Sequence, residues 1–249
     1  MDEVEIVDVL AVGAHPDDVE LGCGGALASL VRQGRSVGIL DLTRGEAATR
    51  GTPQIRARES AASAQILGAR FRVTLDLGDG NLRVDREAEL QVIDVVRRSQ
   101  PRLVFAPLPA DRHPDHERAS RLTSDSSFYA GLRSLKTGVA PHRPQQVIFY
   151  PNAFLPSPSF LVDISSVLAT KLQSIKAYST QFYDPESGEP ETFISSKNFY
   201  DAIAAQAQAY GRLAGVTYAE GFVTLRPPML QDLFGAFEGY EPGFGRDTP

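Results

Sequence analysis

Along the first 135 residues, hydrophobic and polar positions alternate in two rhythms. The apolar runs at 4–12 (VEIVDVLAV), 37–42, 71–75 and 103–106 are short, rich in β-branched residues and bounded by glycine or charge, as strands buried on both faces are. Between them the period lengthens to that of a helix. One helical pattern runs through Gly25–Val31 and stops near Gly34, a second spans 53–67 and stops at Gly68, and a third spans 85–98 with Leu90, Ile93 and Val96 on one face. A fourth begins around Asp115 and runs past Phe128. Strand and helix in turn predict βαβ units, a mainly parallel sheet and an α/β, Rossmann-like, doubly wound fold in three layers.

Beyond Pro141 the pattern predicts strands at 146–150, 160–164 and 218–225 and helices at about 165–178 and 198–212. The turn-rich DPESGEP at 184–190 reads as a surface loop. No linker interrupts the chain, so a single domain over 1–249 is expected, with its core at about 4–225. The residues from 226, ending in FEGYEPGFGRDTP, are expected to form a loose tail or a contact with another subunit.

Composition narrows the function. With 42% hydrophobic and 22% charged residues the chain is of ordinary globular type, and a net charge of -6 argues against a nucleic-acid partner, which needs clustered Lys and Arg. No apolar run is long enough to predict a membrane span, and the acidic start MDEVEIVDV is unlike a signal peptide, so a cytoplasmic protein is expected. Cys23 is the single cysteine, expected as a small buried residue among glycines.

The chemistry lies in two loops at strand ends, Gly13-Ala14-His15-Pro16-Asp17-Asp18 and Asp111-Arg112-His113-Pro114-Asp115-His116. Three of the four histidines fall there beside aspartates, while the fourth, His142, sits in a turn and is expected to be structural. The first loop lacks the G-x-G-x-x-G of a dinucleotide site, and two carboxylates at a helix N-terminus would repel a phosphate. They suit a divalent cation instead. Either motif alone could be only a helix start, with aspartate at the cap and proline in the first turn.

Two nitrogens and one oxygen from separate loops match a catalytic zinc, which commonly keeps a fourth position for water. His15, Asp18 and His116 are the expected ligands of one Zn2+ per subunit, although such a set also accepts other transition metals. Asp17 is the expected general base. A charged His113 is expected to stabilise the oxyanion and protonate the leaving amine, with Asp115 orienting it and keeping it protonated.

AHPDD after the first strand, with HPDH after a later one, resembles the LmbE-like, or PIG-L, family of zinc-dependent N-deacetylases. The resemblance implies a Rossmann-like fold, hydrolysis of the N-acetyl group of a glucosamine-containing substrate, and the same ligands and base. It also suggests a homo-oligomer, such as a hexamer. The strings LTRGEAATRGTPQIRARESAASAQILGA, FAPLPADRHPDH, AYSTQF and YAEGF resemble the bacillithiol-biosynthesis branch, implying N-acetylglucosaminyl L-malate as substrate and an active-site role for Arg56. Arginine suits the two malate carboxylates, with Arg56 and Arg112 as the candidates. Glu46 either touches sugar hydroxyls or braces its loop. Inositol conjugates, chitooligosaccharides and thiol conjugates remain as alternative substrates. One departure from the family is Phe199 beside Tyr200, where a pocket tyrosine is expected.

Overall fold

The computed structural model describes residues 4–237. Five parallel strands, β1 (Val9–Gly13), β2 (Val37–Asp41), β3 (Phe71–Thr74), β4 (Leu103–Pro107) and β5 (Gln146–Tyr150), form a sheet in the order β3-β2-β1-β4-β5. The doubly wound α/β fold is the one the strand and helix rhythm predicts.

Side chains of β1 alternate between two cores. Leu10 and Val12 pack with Val92, Ile93 and Leu122 on the face covered by α3 (Arg86–Ser99) and α4 (Pro114–Ala130). Val9 and Ala11 pack with Cys23 and Leu27 of α1 (Asp18–Arg32) on the other face. Burial on both sides is why the strand reads as an unbroken apolar run. In α3, Ile93 and Val96 are buried as the period predicts, but Leu90 is 37% exposed, and Val92 and Val95 complete the packed face.

Helix α1 starts seven residues before the apolar pattern suggests, because its glycines disguise it. A Cβ on Gly22 would lie 2.0 Å from the Tyr150 ring, so glycine lets the helix press onto β5. The α2 helix (Pro53–Leu67) follows β2, capped by Thr52 and ended by Gly68 in the left-handed conformation. Near the C-terminus, α5 (Leu168–Lys176) packs on α1 and α2, and α6 (Lys197–Ala214) packs on an antiparallel pair, β6 (Phe160–Asp163) with β7 (Ala219–Phe222). Ile164 and Phe222 share the core of β1 and α1.

The buried charges of β2, β3 and α1 are paired. Arg72 on β3 donates to both oxygens of Asp41 at 2.7 Å and to Glu20 of α1 at 2.6 Å, and Glu20 also accepts from Ser63 and Tyr178. Fully buried carboxylates of this kind are tolerable only with such partners. His142 donates to the Pro101 carbonyl at 2.7 Å and is structural, and Cys23 is a buried free thiol. Residues 226–236 are exposed, while the Gly/Pro-rich end of the chain lies almost wholly outside the described residues. Among the described residues, no helix is long and apolar enough to cross a membrane.

Candidate metal centre and active site

Strand order reverses at β1, whose neighbours β2 and β4 lead to opposite faces of the sheet. Open α/β sheets bind ligands in the crevice at that point. The loop from β1 to α1 carries His15 and Asp17, and the loop from β4 to α4 carries Asp111, Arg112 and His113. The adjacency of β1 and β4 therefore brings together segments about a hundred residues apart.

Asp18 is the hub. Its two oxygens lie 3.4 Å from His15 Nδ1 and 3.1 Å from His116 Nε2. It also accepts from the His15 backbone N–H at 2.8 Å and the Asn152 amide at 3.3 Å. The outward nitrogens of both imidazoles face further acids: His15 Nε2 is 3.1 Å from Asp79 and 3.6 Å from Asp115, and His116 Nδ1 is 3.0 Å from Asp111. Carboxylates behind metal-binding histidines fix the tautomer and make the inner nitrogen a better donor. Ligand atoms of His15, His113 and His116 lie within 4.8 Å of one another. Two imidazoles and a carboxylate converging in front of a carboxylate ring fit a divalent transition metal.

The charges bear the mark of this crowding. Burial disfavours the charged forms, yet Asp18 and Asp111 push His116 up to about 10, and Asp115, Asp18 and Asp79 hold His15 well above its ordinary value. Against burial, the His116 and His15 imidazoles hold Asp18 well below the usual carboxylate range. Without a metal, the surrounding carboxylates favour the protonated form of both imidazoles.

Asp17 is different in kind. It occupies the N-cap of α1 but makes no side-chain cap, so the alternative of a plain helix start does not describe it. Its φ of 122° is a strained value for a residue with a side chain. Arg56 of α2 fixes that conformation: its Nη1 donates to the Pro16 carbonyl and, at 3.0 Å, to Asp17 Oδ2. Burial pushes the Asp17 carboxyl up to about 7, Arg56 opposes this, and Asp18 adds to it.

Several expected roles change. Arg56, expected to bind substrate, is buried with its Nη1 on Asp17, while it also lines the cleft and its Nε has no partner. Asp115 does not orient His113 through its carboxylate, which instead accepts from Gly80 N at 2.7 Å and from Arg118 at 2.9 Å and faces His15. The Asp115 backbone N–H donates to His113 Nδ1 at 3.2 Å. Burial and the two neighbouring imidazoles lower the His113 pKa, and the backbone contact at Nδ1 leaves Nε2 as the ring nitrogen free to donate. Glu46 accepts from the backbone of Asp79 at 2.8 Å and of Arg44 at 3.1 Å, which makes it a loop brace.

His15, Asp17, Asp18, Arg56, His113 and His116 line a cleft of about 1210 Å³ that is open to solvent. Arg112 is on its wall, with the guanidinium 4.5 Å from the Phe193 ring centre. Phe199 lines the cleft, and no tyrosine is among its described lining residues. The motifs did not single out Asp79, Arg50, Asn152 or Gln181, which also line it. Asp79 sits in Gly78-Asp79-Gly80 after β3, and its position at a strand end was the one signal available.

Fold and site together define a doubly wound protein with a metal-type cluster at the switch point. Residues 10–127 match the PIG-L family, described as GlcNAc-PI de-N-acetylase. The diacetylchitobiose deacetylase of Thermococcus kodakarensis is 32% identical over 232 residues, 87% of this chain and 82% of that protein. The chain belongs to this PIG-L, or LmbE-like, deacetylase family. The crystal structure of the conserved protein TT1542 from Thermus thermophilus superposes with a TM-score of 0.83 at 42% identity, covering 90% of this chain and 97% of that one. The chain is also similar to the 4-oxalmesaconate hydratase of Pseudomonas putida, at 27% identity with 90% of this chain and 91% of that protein aligned.

Proposed function

We propose that this protein, acting as a single catalytic domain, hydrolyses the N-acetyl group of an N-acetylglucosamine-containing conjugate with one Zn2+ held by His15, Asp18 and His116. The observation that carries the reading is the seat of Asp17, a buried carboxyl held by Arg56 at 3.0 Å on a strained backbone beside the metal-type cluster without belonging to it. When bound, the dication acidifies water and polarises the acetamide carbonyl.

Asp17 accepts a proton from the attacking water as its oxygen bonds to the carbonyl carbon. His113 donates from Nε2 to the oxyanion that develops. As the C–N bond breaks, Asp17 returns the proton to the leaving amine, and acetate and a free glucosamine amine result. A carboxyl whose pKa lies near the working pH suits both transfers. Arg56 holds it in place.

For the aglycone, the 32% identity to a diacetylchitobiose deacetylase and the engagement of Arg56 support a short chitooligosaccharide. N-acetylglucosaminyl L-malate, of bacillithiol biosynthesis, is the second reading. One observation favours it: among the described residues Arg112 has no carboxylate partner and could receive one. The exposed apolar residues Met229, Leu230, Leu233 and Phe234 support a homo-oligomer. Acetate release from N,N'-diacetylchitobiose and from N-acetylglucosaminyl malate tests the function. Water activation also serves hydratases, so acetate, and not water uptake by an unsaturated acid, is the deciding product.

A further inference from the structure

Residues 183–196 run from the buried Phe182 to the start of α6 with neither helix nor strand, and this segment forms one wall of the cleft. Loops of this length without regular structure are uncommon in compact folds and are usually functional. The segment is tied down at a distance from its ends. Glu189 accepts from Arg50 at 3.3 Å and from the Gly51 backbone at 3.1 Å, and Ser187 accepts from Arg50 as well. Arg50 itself is buried, so the surface loop expected at 184–190 is latched to the β2–α2 connection.

Beyond the latch the segment presents Phe193. This ring lines the cleft, yet it is 64% exposed. It is braced on two sides, by the Arg112 guanidinium 4.5 Å from its centre and by the Phe199 ring edge-on at 5.4 Å. An exposed aromatic ring, pinned by neighbours that leave much of it open to a cleft, is a preformed surface for a flat apolar ligand face. The negative face of an aromatic ring attracts the weakly positive C–H groups of a pyranose.

The cleft arginines sharpen the choice of ligand. Arg56 is committed to Asp17 and Arg50 to Glu189. Arg112 lies over Phe193, which leaves its planar edge able to donate to hydroxyls of whatever covers the ring. Of the three arginines that line the cleft, Arg112 alone has no carboxylate partner among the described residues.

Resting on the deacetylase reading, we infer that Phe193 is the aglycone platform of this site: it stacks the second sugar ring of a β-linked glucosaminide and so selects ring-shaped, uncharged aglycones. The latch of Glu189 on Arg50 positions it.

Two measurements test this. The chain contains no tryptophan, so Phe193→Trp introduces a single fluorophore on the segment. Titrating the metal-free variant with chitobiose should change its emission, whereas glucosamine at equal concentration should leave it unaltered; an identical response to both sugars overturns the platform. This readout needs no turnover, so it stands even if no acetate is released and the deacetylase reading fails. In the second measurement, Phe193→Ala should lower the ratio of kcat/KM for N,N'-diacetylchitobiose over N-acetylglucosamine by about 10-fold, chiefly through KM. Glu189→Gln should lower the same ratio by less. An unchanged ratio in Phe193→Ala, or a wild-type preference for N-acetylglucosaminyl malate that Arg112→Gln abolishes, overturns the inference.

Discussion

Arg56 Nη1 lies 3.0 Å from Asp17 Oδ2 and also holds the carbonyl of Pro16, so one guanidinium fixes both the strained backbone and the carboxylate of the expected base. A cation beside a carboxylate stabilises its ionised form. Arg56→Gln should therefore raise the pKa of Asp17 above the value near 7 and move the acid limb of the kcat/KM profile to higher pH. Metal content should be unchanged. A lower rate with an unmoved limb would mean that Arg56 acts by some route other than Asp17.

The pH dependence of the wild type follows from the same group. Asp17 must be ionised to take a proton, and its pKa is raised to about 7, so kcat/KM should fall as pH drops through neutrality. A bound dication lowers that value, which places the limb of the loaded enzyme at or below 7. A limb well above 7 contradicts the assignment.

Asp17→Asn should retain the metal and lose about 100- to 10,000-fold in rate, the usual range for a general acid–base group. His15→Ala should lose the metal itself, measured by elemental analysis of the purified variants. Equal metal loss in both would show that the roles of base and ligand are misassigned.

His113→Ala should cost about 100- to 1000-fold in kcat, as loss of one oxyanion donor does. With the pKa of His113 lowered by burial and by the neighbouring imidazoles, its deprotonation should produce no basic limb above neutrality in the kcat/KM profile. A basic limb that disappears in the variant would restore the charged imidazole.

Much of this was legible in the chain. AHPDD and HPDH, each after a short apolar run, place their imidazoles at strand ends, and a parallel sheet reversing at β1 makes those ends neighbours. The start of α1 was obscured because Gly22, Gly24 and Gly25 lower helix propensity, and the purpose of Gly22 and Gly25, close approach to Tyr150 and Ile164, is tertiary. The family resemblance implied a place for Arg56 in the cleft, but not its partner: whether an arginine meets a substrate or the protein's own aspartate depends on a helix three-dimensionally adjacent to the loop. Asp79 and Asp111 support the imidazoles from behind, and no local spacing announces that role. The pairing of β6 with β7 spans nearly sixty residues and likewise leaves no local signal.

Metal binding should release protons. His15 and His116 have raised pKa values, His116 to about 10, so at pH 7 the metal-free site holds both protons and a cation must displace them. The sign follows: affinity for Zn2+ should strengthen as pH rises towards 10. Calorimetry in buffers of different ionisation enthalpy should show about two protons released per Zn2+ at pH 7, and no release would contradict the geometry of the two imidazoles.

The most direct measurement is acetate release from N,N'-diacetylchitobiose by chelator-stripped protein as Zn2+ is returned in substoichiometric steps. Activity should be absent at the start, rise linearly and break at one Zn2+ per chain. Acetate release that survives complete removal of metal, or that never appears at one equivalent, would contradict a single cation shared by His15, Asp18 and His116.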